Sequence, residues 1–122
     1  MVIAGLVVAG AIGAMTRYLA DGWIQRRVGT ELPWGTFVIN VSGSFVLGLV
    51  VGLAQYHGLG PLPALAIGTG FCGALTTFST FSYESIRLLE RGDAVQAATN
   101  AIGSVLVGLL AAGVAIAVVA AV

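Results

Sequence analysis

The stretch LPWGTFVINVSGSFVLGLVVGLAQYHGLGPLPALAIGTGFCGALTTFSTFSY, residues 32–83, runs for 52 positions without an Asp, Glu, Lys or Arg. A membrane-spanning helix needs about 20 apolar residues, so this stretch is long enough for two. His57 and the run Gly58-Leu59-Gly60-Pro61-Leu62-Pro63 divide it, because glycine and proline end helices and favour turns. The same arithmetic works outward. Met1 to Thr16 and Ala94 to Val122 are also uncharged, and each flank supplies one further span. The expectation is an all-α membrane protein, one domain over 1–122, with four transmembrane helices at roughly 2–22, 33–55, 62–90 and 94–120. The first apolar segment has no basic residues ahead of it, so it reads as the first helix and not as a cleaved leader.

Composition excludes the main alternatives. Of 122 residues 58% are hydrophobic and 8% charged, with zero formal net charge and no Lys. Soluble domains carry about a quarter charged residues, and a globule of this length could not bury so much apolar side chain. A nucleic-acid partner would need a dense basic footprint, which is missing. The lone Cys72 rules out an internal disulfide. His57 is the only histidine and lies in the turn between the second and third helices, so there is no nucleophile–base pair and no enzyme is expected.

Alternating helix ends put Arg17, Arg26, Arg27, Arg87 and Arg91 on one face of the membrane and no basic residue on the other. The positive-inside rule then predicts cytoplasmic first and third loops and external termini. Trp23 and Trp34 flank the first loop, where indoles favour the headgroup layer.

Four helices enclose little space, so a solute path calls for self-association or a sister chain. Residues at every fourth position share a helix face. Gly5, Ala9, Gly13 and Arg17 do so in the first helix; Thr36, Asn40, Ser44, Gly48 and Gly52 in the second; Gln96, Asn100, Ser104 and Gly108 in the fourth. Small faces let backbones approach, and polar groups can bond across such a contact. The first stripe reads as a packing surface. Asn40 and Asn100 fit either interhelical hydrogen bonding or a solute path; each is followed one turn later by a Ser, which favours the path.

The third helix carries the sharpest pattern. Gly68, Gly70 and Gly73 precede Thr76-Thr77-Phe78-Ser79-Thr80-Phe81-Ser82, with five hydroxyls around two phenylalanines. Glycines and β-branched threonines weaken a helix, and hydroxyls can satisfy backbone groups freed by a break. An interruption near Gly73–Thr77 is expected, its carbonyls open to a cation and the resumed helix start to an anion. Phe78 and Phe81 share a face, and the positive edge of an aromatic ring suits a small anion. Glu84 lies past the middle of this helix, towards the Arg-bearing end. No carboxylate lies centrally in any helix, which counts against a small proton-coupled multidrug-type transporter. A non-transporting scaffold is the remaining alternative.

Three motifs now stand in order: Gly13-Ala14-Met15-Thr16-Arg17-Tyr18, Pro33-Trp34-Gly35-Thr36-Phe37-Val38-Ile39-Asn40, and Gly73-Ala74-Leu75-Thr76-Thr77-Phe78-Ser79-Thr80-Phe81-Ser82. With them the chain resembles the Fluc/CrcB family of fluoride channels over essentially its whole length. The resemblance implies passive, fluoride-selective export across the cell inner membrane, lowering fluoride toxicity. It implies an antiparallel dimer with two pores along the subunit interface. A structural sodium ion at its centre would be held by the Gly73 and Thr76 carbonyls of each subunit. It implies fluoride contacts at Asn40, Phe78, Phe81, Ser104, Thr77 and Asn100, with Arg17 and Glu84 at the vestibule. Asn100 stands where the family usually has Tyr, and Gly108 replaces a second hydroxyl. The one-sided arginines depart from the dual-insertion pattern. The partner is therefore a second copy or an oppositely inserted paralogue, and the intact motifs favour the second copy.

Overall fold

The computed structural model describes all residues, Met1–Val122. Helix α1 (Val2–Val28) is apolar all round from Val2 to Met15, as a lipid-embedded helix must be, and its last turn carries Arg26 and Arg27. It therefore extends beyond the end near residue 22 that hydropathy suggested. Pro33 precedes α2 (Trp34–Tyr56). Pro61, in a position that needs no N–H, opens α3 (Pro61–Ala64). A π-helical stretch (Leu65–Cys72) and α4 (Gly73–Leu75) continue the same rod. After two extended residues comes α5 (Phe78–Glu90). Gly92, at φ 81°, turns the chain into α6 (Ala94–Ala121). The Asp93 carboxylate caps α6 by accepting from the Gln96 N–H at 3.1 Å.

Four stretches are long and apolar enough to cross a membrane: Val2–Val28, Trp34–Tyr56, Pro61–Glu90 and Ala94–Ala121. Only 18 of 122 residues are buried, so most of the apolar surface is left for lipid or another chain. The third span is interrupted, but at Thr76 (φ −77°, ψ 155°) and Thr77 (φ −145°, ψ 122°), the far end of the expected window. Gly73 itself stays helical (φ −62°, ψ −36°). The physical reason is that the extended region suits β-branched threonines, whereas Gly70, together with Gly13 on α1, serves another purpose. They let α1 lie directly on the π-helical stretch: a Cβ on Gly70 would sit 3.0 Å from the Ala9 Cβ, and one on Gly13 would strike the Phe71 carbonyl. Ala9 and Gly13 of the α1 stripe thus form a packing surface, whereas a Cβ on Gly5 would meet nothing within 4 Å.

Helices α2 and α6 meet along a similar seam. A Cβ on Gly48 would lie 2.9 Å from the Ala115 Cβ, one on Gly52 2.9 Å from the Val119 Cβ, and one on Gly108 3.3 Å from the Ser44 hydroxyl. Close backbone approach of this kind replaces the hydrophobic driving force that lipid removes. At the end opposite the arginines, the His57 ring nitrogen is 3.0 Å from the Val119 carbonyl oxygen and ties the α2–α3 turn to α6.

Candidate permeation site

The interruption at Thr76–Thr77 frees main-chain groups, and side chains take them up. Asn40, on the face of α2 turned to the break, grips Thr77 with both ends of its amide. Its Nδ2 donates to the Thr77 carbonyl at 3.1 Å, and its Oδ1 accepts from the Thr77 N–H at 2.9 Å. In a continuous helix that N–H would have closed on the Gly73 carbonyl. Thr76 turns back, its N–H and its hydroxyl both donating to the Cys72 carbonyl at 2.9 and 2.8 Å. The Thr77 hydroxyl caps α5, accepting from the Thr80 N–H at 3.2 Å while donating to the Thr80 hydroxyl at 3.2 Å.

Beside the break is an open cleft of about 330 Å³. Asn40, Gly73, Thr76, Thr77, Phe78, Phe81 and Ser104 all line it, together with Ser44, Leu47 and Val105. Seven sequence-derived residues from α2, the third span and α6 thus converge, and no charged side chain joins them. The Phe78 and Phe81 rings lie 5.8 Å apart, tilted by 40°. Phe78 is 80% exposed in the single chain. Ser104 is 8% exposed, and its hydroxyl oxygen is buried with no hydrogen-bond partner in the chain. A buried hydroxyl without a partner is costly in an apolar setting, so this group calls for a partner that the single chain does not supply.

The remaining expected residues lie elsewhere. Asn100 is outside the cleft, in a groove of about 290 Å³ with Trp34, Phe37, Gln96 and Thr99. There its Nδ2 donates to the Ser85 hydroxyl at 2.9 Å. Arg17 lines a cavity of about 190 Å³ with Asp21, Thr36, Thr77 and Thr80. Glu84 lines a separate one of about 220 Å³ with Asp21, Glu31, Arg87 and Arg91. Glu84 Oε1 accepts from the Thr36 hydroxyl at 3.0 Å, while Oε2 is buried without a partner, as is Asp21 Oδ1. Arg17 thus shares a cavity with the break residue Thr77, whereas Glu84 lies in a separate one; Asp21 lines both. Ser85 is absent from the sequence-derived set, although its spacing of four from Phe81 was a usable signal. Ser44 was visible only as part of a stripe.

Residues 4–116 match the family described as CrcB-like protein, Camphor Resistance (CrcB). The chain belongs to the CrcB family. Among curated CrcB relatives, the fluoride-specific ion channel FluC 1 of Streptomyces avermitilis is 55% identical over 108 residues, covering 88% of this chain and 87% of that protein. FluC 1 of Frankia casuarinae is 50% identical over 123 residues, covering 92% and 93%. The fluoride-specific ion channel FluC of Geobacter metallireducens is 46% identical over 111 residues, covering 89% of each. This CrcB chain is a multi-pass membrane protein, and its spans, break and cleft are the parts from which a conduction path can be built.

Proposed function

We propose that this CrcB protein is a fluoride-selective channel that lets cytosolic fluoride leave the cell passively through the inner membrane. The observation that carries the reading is the unpartnered Ser104 hydroxyl in a neutral cleft rimmed by two phenyl rings. Fluoride is small and strongly hydrated. A path through hydrocarbon must replace its water with short donor contacts, and narrowness then excludes larger halides. Ser104 supplies an O–H, and the ring edges of Phe78 and Phe81 supply positive potential. The second N–H of the Asn40 amide is a further donor, because only one is spent on Thr77.

The cleft is open along one side, and Phe78 lies at its edge. Closure by a second, inverted copy of the chain completes the path, with an oppositely inserted paralogue as the variant reading. The break also suits a sodium ion. The Gly73 carbonyl has lost the Thr77 N–H to Asn40, and hard cations take neutral oxygen ligands. The Gly73 and Thr76 carbonyls would hold the ion, which supplies a fixed positive charge near the anion path. Passive movement suffices. Hydrogen fluoride enters across lipid, ionises in the neutral cytosol, and an inside-negative potential drives the anion out at about 2.3 kcal/mol per charge per 100 mV.

Purified protein reconstituted in liposomes is expected to release fluoride rapidly to an electrode, without coupled proton movement and with little chloride. Activity only after adding a paralogue would select the mixed dimer. Absence of fluoride flux in both preparations would remove the reading.

A further inference from the structure

Helix α5 is poorly anchored by apolar packing. The break detaches it from the rest of the third span, it packs chiefly against α6, and Leu88 is its only buried residue. Directional polar bonds must therefore fix its rotation and register. One of them is a relay that crosses to α6. The Ser85 hydroxyl donates to the Phe81 carbonyl at 2.9 Å. With its hydrogen spent there, its oxygen accepts from Asn100 Nδ2 at 2.9 Å. Both orientations are mutually consistent, and the amide reaches Ser85 only when α5 presents that face.

The two helices form an antiparallel hairpin closed at Arg91–Asp93, so the pairs along it step together. One turn from Ser85 on α5 is Phe81; one turn from Asn100 on α6 is Ser104. Phe81 and Ser104 both line the cleft. The Ser85–Asn100 pair is thus the rung next to the pair that faces the solute.

We propose that Ser85 and Asn100 are positioning residues, a hydrogen-bonded rung that sets the gap between the Phe81 ring and the Ser104 hydroxyl and thereby the channel's discrimination between halides. The inference rests on the channel reading above. It assigns Asn100 a task that needs no contact with the ion, and it brings Ser85 into the functional set.

The test is a cycle on the full-length protein in liposomes, reading fluoride and chloride efflux from the same preparation. Its members are Ser85→Ala, Asn100→Ala, the double variant and the exchanged pair Ser85→Asn/Asn100→Ser. Each single variant is expected to lower the fluoride-to-chloride ratio about fivefold, the worth of one net hydrogen bond. The double variant should lose no more than either single one, and the exchanged pair should recover the ratio. A merely structural role would reduce both fluxes together and leave the ratio unchanged, which overturns the proposal. Multiplied losses in the double variant overturn it as well. Should the exchanged pair not assemble, the other three members decide the outcome. If the unaltered chain passes no fluoride, the channel reading falls first. The rung is then judged by melting temperatures of the same cycle in detergent, where additive shifts would reject it.

Discussion

Replacing Asn40 by Ala removes both bonds that hold the interruption of the third span. The Thr77 N–H and C=O would then lie part-buried with nothing to pair with. An orphaned group costs about 1–3 kcal/mol, so the pair costs about 2–6 kcal/mol, against a total stability of about 5–15 kcal/mol for a typical domain. At about 4 °C per kcal/mol for a chain of this size, the melting temperature in detergent should fall by about 8 °C or more. A local readout separates this from general damage. Amide exchange in a peptide spanning Thr76–Phe78 should accelerate by about 30-fold or more, while peptides from the α2–α6 seam change little. An Asn40→Ala protein that melts within about 2 °C of the parent, with Thr77 still protected, would refute the idea that this amide secures the break.

Three further outcomes are expected. Phe78→Ile and Phe81→Ile should each cut fluoride flux sharply without altering the assembled mass, since on the proposed channel reading the rings, which line the cleft, face the solute; normal flux in both would remove the ring-edge role. Gly48→Ala should destabilise by about 1–3 kcal/mol through overpacking against Ala112 and Ala115, measured by thermal aggregation. Gly113→Ala, with nothing within 4 Å of the added carbon, should be neutral or stabilising. An Arg26→Cys protein in intact cells reports orientation to an impermeant thiol reagent, because Cys72 is 1% exposed and will not react. Labelling of part of the protein in intact cells and of the remainder only after the cells are opened fits an antiparallel dimer of identical chains, and labelling of all or none of it in intact cells would contradict it.

Legibility varied with the kind of force involved. The four spans follow from one-dimensional bookkeeping: a charge in hydrocarbon is so costly that uncharged length alone marks a helix. The break was legible in kind and to within a few residues, because hydroxyls clustered behind glycines; the residues within the Gly73–Thr77 window that leave the helix were not. Whether Gly73 or Thr76 leaves the helix depends on what α1 and α2 press against it. Propensity cannot see that Gly70 and Gly13 are needed for helix contact. Likewise Phe78, Phe81, Ser104 and Asn40 were recognisable from motif and spacing, but whether the amide of Asn40 serves an interhelical bond or a solute path stayed open. Its grip on Thr77 depends on the approach of α2 to a residue far along the chain.

By itself, then, the amino-acid order determined that the protein lives in lipid, how many times it crosses, and which side chains are chemically suited to an anion. Those properties are local sums over composition and period. Tertiary structure alone decided which polar groups are spent on one another and which are left over. Asn100 is occupied by Ser85, Thr77 by Thr80 and Asn40, while the Ser104 hydroxyl has no partner. The reason is that hydrogen bonds act over about 3 Å and in one direction, so their pairing is fixed only when helices distant in sequence are brought to a definite register.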